Sequence, residues 1–262
     1  MRRLFGIILV IAGIAGLYHV WSGGDISLHR IGALLSREVN IEKAVDVGAV
    51  EHIRIHTDSA NVRIVKGESE QAYVRLQGSA GRHYADNIDL HVEQQGDTLE
   101  LGLEMPEKFW FFFNFANVTL DVTLPEKQWN TVDVETGSGN ITIDGLETDS
   151  LAFDAGSGNV KLIDGQAEIK GKVGSGNILV ETRELLHDAD LKTGSGNVTV
   201  KLAERPESLH VDYRGGSGQG RIQWDGFVYE LESDERDVVK GSFGSGEVQL
   251  YVRTGSGNFT LK

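Results

Sequence analysis

Three kinds of residue in this sequence have types and spacings that could do chemistry: paired histidines, alternating carboxylates and serines held between glycines. His52 and His56 lie four apart with Arg54 between them. On a strand both side chains leave the same face, about 13 Å apart at ~3.3 Å per residue, too far for one zinc ion. His83, His91, His187 and His210 have no neighbours in the sequence that suggest a site. Asp133, Glu135, Asp144, Asp154 and Asp164 could in principle supply the acid and base of a polysaccharide-cleaving enzyme. They alternate along extended segments or sit at turns, as solvated residues do. The recurring Gly-Ser-Gly has no flanking nucleophile-elbow pattern and no later Gly-Lys of a phosphate loop. Calcium-binding β-rolls place Asp in their glycine-rich turns, whereas the turns here end in Asn. No catalytic, cofactor-binding or metal-ligating residue is expected, and the chain is read as a non-enzyme.

The elements that carry these residues are set by a repeat. Gly-Ser-Gly-Asn starts at Gly137, Gly156, Gly174, Gly194 and Gly255, with Gln219 and Glu247 closing two variants that start at Gly216 and Gly244. Successive starts are 19, 18, 20, 22, 28 and 11 residues apart. The first and third residues after each turn are apolar, as in Ile141 and Ile143, Val160 and Leu162, or Phe259 and Leu261. Only the Gln219 unit breaks step, with Gly220 and Ile222. Apolar residues also alternate before the turns, so each unit predicts strand, tight corner and strand, with one face buried. Asn61, Asn87 and Asn117 open the same beat without glycines, which extends degenerate units upstream. Asp144-Gly145, Asp164-Gly165 and Asp225-Gly226 mark a second corner. The spacing of 11 is explained if Val248 to Val252 serves two consecutive corners.

Glycine permits positive φ and close backbone approach, and Asn carries an amide that both donates and accepts. Stacked corners therefore predict a structural ladder of Asn140, Asn159, Asn177, Asn197 and Asn258, rungs about 4.8 Å apart. Units that bury their apolar faces only against neighbours define an all-β fold, a β-solenoid of ~18–22-residue units. An antiparallel β-sandwich with Gly-Ser-Gly-Asn as hairpin loops is the alternative.

Composition narrows the partners. The chain has 262 residues with 33 Gly, 3 Pro, no Cys and a formal charge of −14. Disulfides, thiolate chemistry and a lipidated cysteine are excluded, and nucleic acid is a poor partner for so acidic a body. Residues 1–24 combine Arg2 and Arg3 with an uncharged run from Leu4 to Val20 and Tyr18 and Trp21 as interfacial anchors. They predict one N-terminal transmembrane helix, with the N-terminus cytoplasmic and the rest outside. A cleaved signal peptide, cut near Gly13-Ile14-Ala15, remains the competing reading. Residues 25–46 are assigned as a juxtamembrane linker in which Leu28, Ile31, Leu34 and Leu35 fall at helical spacing. Residues 47–262 form the repeat domain, degenerate over 47–130 and regular over 131–262. Within it, Trp110, Phe111, Phe112 and Phe113 belong to a run of six aromatics in seven residues. These cannot all face one core from one strand, so the run either covers an end of the repeat or contacts membrane or a partner.

The stretch Asn117 to Pro125, Trp129, and Val132 through Ile141 resembles the bacterial putative-adhesin family of unknown function. The resemblance covers roughly residues 45–262. It implies a right-handed β-helix-like fold outside a membrane and offers no established catalytic residues. The expected role is binding or scaffolding in the cell envelope, at the cell membrane, with an envelope protein or wall polymer as partner and a link to envelope stress. The alternative is a carbohydrate-active β-helix enzyme acting on wall polymers.

Overall fold

Alternation of β-branched residues with Lys, Asp, Glu and Thr makes strands with one dry and one wet face. The computed structural model describes residues 36–81, 85–104 and 116–262. In the unit Glu38–Lys262 those strands form two sheets. The first sheet runs in the order β1 (Ser36–Asp46), β4 (Gln71–Gly81), β7 (Ala116–Pro125), β3 (Asn61–Gly67), β9 (Ile141–Asp144), β11 (Val160–Ile163), β13 (Ile178–Thr182), β15 (Val198–Leu202), β21 (Phe259–Leu261) and β17 (Gly220–Ile222). The second begins with β18 (Val228–Glu232), β19 (Val238–Phe243), β16 (Leu209–Ser217), β20 (Val248–Ser256) and β14 (Ala189–Ser195). It continues through β12 (Gln166–Ser175), β10 (Glu147–Ser157), β8 (Trp129–Ser138), β2 (His52–Thr57) and β6 (Thr98–Glu104) to β5 (Asp89–Gln95).

Each regular unit is one coil that passes from the second sheet to the first at the Gly-Ser-Gly-Asn corner. β8 leads through Asn140 into β9, and Gly145 returns the chain to β10. Consecutive coils pair in parallel, with Val132, Leu151, Ile169 and Ala189 in register on one sheet and Ile141, Val160, Ile178 and Val198 on the other. These side chains are buried between the sheets, each worth about 1.5–3 kcal/mol when large and apolar. The alternative of hairpin loops is thereby answered: these corners join different sheets, and the pairs they build are parallel.

Spatial order departs from chain order at both ends. The coil β20–β21 lies between β14–β15 and β16–β17, and β2–β3 lies between β6–β7 and β8–β9. Antiparallel strands flank the stack: β4 on β7, β5 on β6, and β19 on β16 with β18 beyond it. Three expectations are corrected here. Ser36–Asp46, assigned to the linker, is a strand beside β4, because Val39, Ile41 and Val45 follow period two and Val39 is buried. Asn117 is no ladder corner: in the β3–β7 register Asn61 faces Thr119. Nor does Asn87 open a parallel coil, since β5 after it runs antiparallel to β6. Among the described residues no helix is long and apolar enough to cross a membrane. The anchor at 1–24 and the linker up to residue 35 lie outside the described residues.

Candidate functional site

Stacking in register brings the corner asparagines into one file: Asn61, Asn140, Asn159, Asn177, Asn197 and Asn258, with Gln219 at its end. Each Asn from 140 onward donates its backbone N–H and its Nδ2 to the Oδ1 of the preceding rung. For Asn159 on Asn140 the distances are 2.9 and 3.3 Å, and for Asn177 on Asn159 they are 3.1 and 2.9 Å. Asn258 donates to Asn197, and Gln219 N–H donates to Asn258 Oδ1 at 2.9 Å. From Asn61 to Asn197 each amide oxygen thus takes two protein donors, which leaves little coordinating capacity for an ion along that part of the file.

Glycine is required at the third corner position where another glycine corner lies beneath; the corner at Asn61 carries Ala60 there. Gly158, Gly176, Gly196, Gly218 and Gly257 have φ between 135° and 144°. A Cβ on Gly158 would stand 1.9 Å from the Gly139 carbonyl oxygen, and the other four make the same approach to the rung below. Behind the corner, Thr136, Thr193 and Thr254 are buried and donate to corner carbonyls, Thr254 to Gly257 at 2.9 Å. The Gln219 coil breaks step for a packing reason. Gly215 replaces that threonine, and the buried Tyr213 hydroxyl fills its place, 3.1 Å from Thr254 Oγ1. Burial raises the Tyr213 pKa. A side chain at Gly215 or Gly220 would collide with Tyr213, whose ring stacks on Phe259 with centroids 5.3 Å apart.

The tetrapeptide ending at Glu247 is a different object. Gly244 and Gly246 have φ of 53° and 69°, and the segment joins β19 to β20 across β16 within one sheet. Glu247 N–H donates to Ser208 Oγ, outside the amide ladder. Val248 to Val252 therefore does not serve two corners; the short spacing reflects a connection that straddles a strand.

On the outward face of the second sheet a depression of about 230 Å³ is lined by His52, Arg54, Thr98, Thr131, Asp133 and Ser150, among others. Withdrawal of water raises the Asp133 pKa, opposed by Arg54 and reinforced by Glu135 and Asp154. His52 Nδ1 lies 2.7 Å from Thr131 Oγ1 and His56 Nδ1 lies 3.3 Å from Glu135 Oε2, so the two histidines have separate partners. Donor atoms of Glu51, His52 and Asp97 gather within 4.8 Å of one another, a grouping hidden in the sequence because Asp97 precedes β6 on a different coil. Glu51 and Asp97 are solvent-exposed, and Asn130 Nδ2 donates to Glu51 Oε2. Trp110, Phe111, Phe112 and Phe113, and His83, lie outside the described residues.

Parallel coils stacked into two facing sheets, with glycine and amide files at one edge, define an all-β, solenoid-like protein class. The chain belongs to the Toastrack DUF4097 family, matched over residues 50–170 and 165–262. No curated protein sequence matches it. Its fold is similar to the crystal structure of a "putative cell adhesion protein" from Clostridium sporogenes. That match has 18% identity and a TM-score of 0.51, and covers 86% of this chain and 99% of that one. A "putative adhesin" from Bacteroides fragilis is more distant, at 15% identity and TM-score 0.40, covering 85% of this chain and 97% of that one.

Proposed function

We propose that this chain is a non-enzymatic binding or scaffold protein of the cell envelope. Residues 1–24 tether it to the cell membrane with the N-terminus cytoplasmic, and the repeat domain stands outside. The observation that carries this reading is the fixed, solvent-facing surface of the stack: from β8 through β10, β12 and β14 to β20 the coils repeat one geometry, and their polar rows project outward in register. Such surfaces present binding groups in line and need no moving part. A neighbour of similar fold named as a cell adhesion protein supports the same role. The N-terminal anchor ahead of this domain resembles LiaG, encoded with the Lia cell-envelope stress system in Gram-positive bacteria, which supports a place in envelope-stress response. Trp110, Phe111, Phe112 and Phe113 are proposed as a contact to membrane or partner, and the right-handed path of the coils belongs to the same reading.

One observation favours a second reading. Asp133, with its pKa raised by withdrawal of water and, to a lesser degree, by Glu135 and Asp154, resembles the acid of a carbohydrate-active enzyme. The test is sedimentation of the purified full chain with isolated wall and membrane fractions, followed by sizing of the polymer. Saturable co-sedimentation with polymer length unchanged is expected. Polymer shortening that Asp133→Asn abolishes would replace the scaffold reading with the enzyme.

A further inference from the structure

The register of the second sheet assembles a column of cations that chain order disperses. Lys172, Lys192, Arg253 and Arg214 hold corresponding outward positions on the four consecutive strands β12, β14, β20 and β16. At about 4.8 Å per strand the column spans roughly 14 Å. Like charges directly opposite one another destabilise a sheet, and here they gather on a chain of formal charge −14.

The column is only partly neutralised from within. Lys172 Nζ meets Asp154 Oδ2 at 3.0 Å, Lys192 Nζ meets Asp190 Oδ2 at 2.7 Å, and Arg214 Nε meets Asp212 Oδ1 at 3.1 Å. Arg253 has no carboxylate partner among the described residues. Where its neighbours carry Asp190 and Asp212 two residues earlier, β20 carries Tyr251, which is exposed. Within the column Arg253 is therefore an uncompensated guanidinium, a fork suited to bidentate phosphate recognition, with the Lys192 ammonium on one side and the Arg214 guanidinium on the other.

We propose that this column binds a phosphate-bearing polyanionic polymer laid across β12, β14, β20 and β16, with Arg253 as its anchor. This rests on the envelope-binding reading and adds the ligand class. The width of the column selects a polymer over a membrane plane. On one side it is flanked by a row of Lys170, Asp190, Tyr251 and Asp212, in which Asp190 and Asp212 are the acids, and Asp154 and Glu135 continue its own row. A flat anionic surface would press against these carboxylates, whereas a thread one charge wide avoids them.

The test measures binding of fluorescent inorganic polyphosphate to the purified full chain in non-ionic detergent, over a range of salt. Two triple variants remove equal charge: Lys172→Gln/Lys192→Gln/Arg253→Gln in the column, and Lys66→Gln/Lys161→Gln/Lys201→Gln on the first sheet. The wild type should bind with a log–log salt slope of about −3, four contacts at roughly 0.7 each. The column variant should lose about tenfold or more, the worth of one charge-assisted contact, and the first-sheet variant less than twofold. A wild-type circular dichroism spectrum and a cooperative thermal transition above the assay temperature show that each variant is folded, the first-sheet variant melting lower because Glu181 loses Lys161 and Lys201. No polyphosphate binding by the wild type, or equal losses in both variants, would overturn the proposal. So would a column-dependent gain confined to phosphatidylglycerol over phosphatidylcholine vesicles, which would assign the column to lipid. If the chain sediments with envelope fractions but the column variant does so equally well, the column fails and the envelope reading survives; if neither binds, both fail.

Discussion

Replacing Gly158 by Ala and, seven residues on, Gly165 by Ala separates a glycine demanded by the stack from one that merely occupies a turn. Gly158 has φ of 140°, and its new Cβ would stand 1.9 Å from the Gly139 carbonyl oxygen, 2.6 Å from that carbonyl carbon. The backbone conformation alone costs about 1–3 kcal/mol in a residue with a side chain. Relieving the overlap requires adjacent coils to separate at the corner, where Gly139 N–H donates to Ser157 O and Gly158 N–H to Ser175 O, both at 2.9 Å. Weakening these two bonds adds about 0.5–1.5 kcal/mol each. The sum is a destabilisation of roughly 2–6 kcal/mol. At Gly165 the nearest atom to a new Cβ is the Leu146 carbonyl oxygen at 3.5 Å, an ordinary contact, and its φ lies outside the glycine region. There, Ala restricts the unfolded chain and should be neutral or stabilise by about 0.4–1 kcal/mol. Urea titration followed by circular dichroism reads both variants as midpoint shifts at constant slope. Equal midpoints for the two variants would refute the close-stacking account of the corner.

Other perturbations follow from the same geometry. Asn159→Ala removes one donor and one double acceptor from the file, and because the rung is exposed, water recovers part of the loss. We expect about 1–2 kcal/mol by the same titration, while a variant as stable as wild type would show that the ladder contributes no net stability. Glu181 is held at about 2, from an ordinary 4.5, by hydrogen bonds from Lys201 and Lys161. Its depressed value means the stabilisation is complete above pH 4.5 and disappears as the pH falls toward 2. Glu181→Gln should therefore lower stability by about 0.5–1 kcal/mol at pH 7, a discounted value for a solvated pair. That gap should close between pH 4.5 and 2; one that persists at pH 2 would assign the effect to packing.

Much of this architecture is legible in the residues because inside and outside differ at period two. The apolar beat around Ile141, Val160 and Ile178 assigns faces, and the glycine spacing assigns corners. What the pattern does not encode is which coil lies beside which. Every coil presents similar Val, Ile and Leu faces, so neighbours are chosen by local fit. Phe153, for example, covers Gly171 so closely that a Cβ there would stand 2.0 Å from its ring. Tyr213 likewise requires Gly215 and Gly220 around it. The insertion of β20–β21 before β16–β17 follows from such fits, and with it the adjacency of Arg253 and Arg214. The Glu247 tetrapeptide misleads for the converse reason: the same letters adopt a different φ when they bridge strands of a single sheet. Asp97 joins Glu51 and His52 through coil order, which no local spacing reports.

We propose that the repeat domain stands outside the membrane and binds an envelope component. The chain has no cysteine, so single variants Leu186→Cys and Tyr251→Cys, both at exposed positions, accept a membrane-impermeant photo-crosslinking maleimide selectively. In intact cells both variants should be labelled and, on illumination, form discrete adducts with an envelope protein or wall polymer. Labelling only after the cells are broken, or a labelled chain with no adduct at either position, would contradict the account.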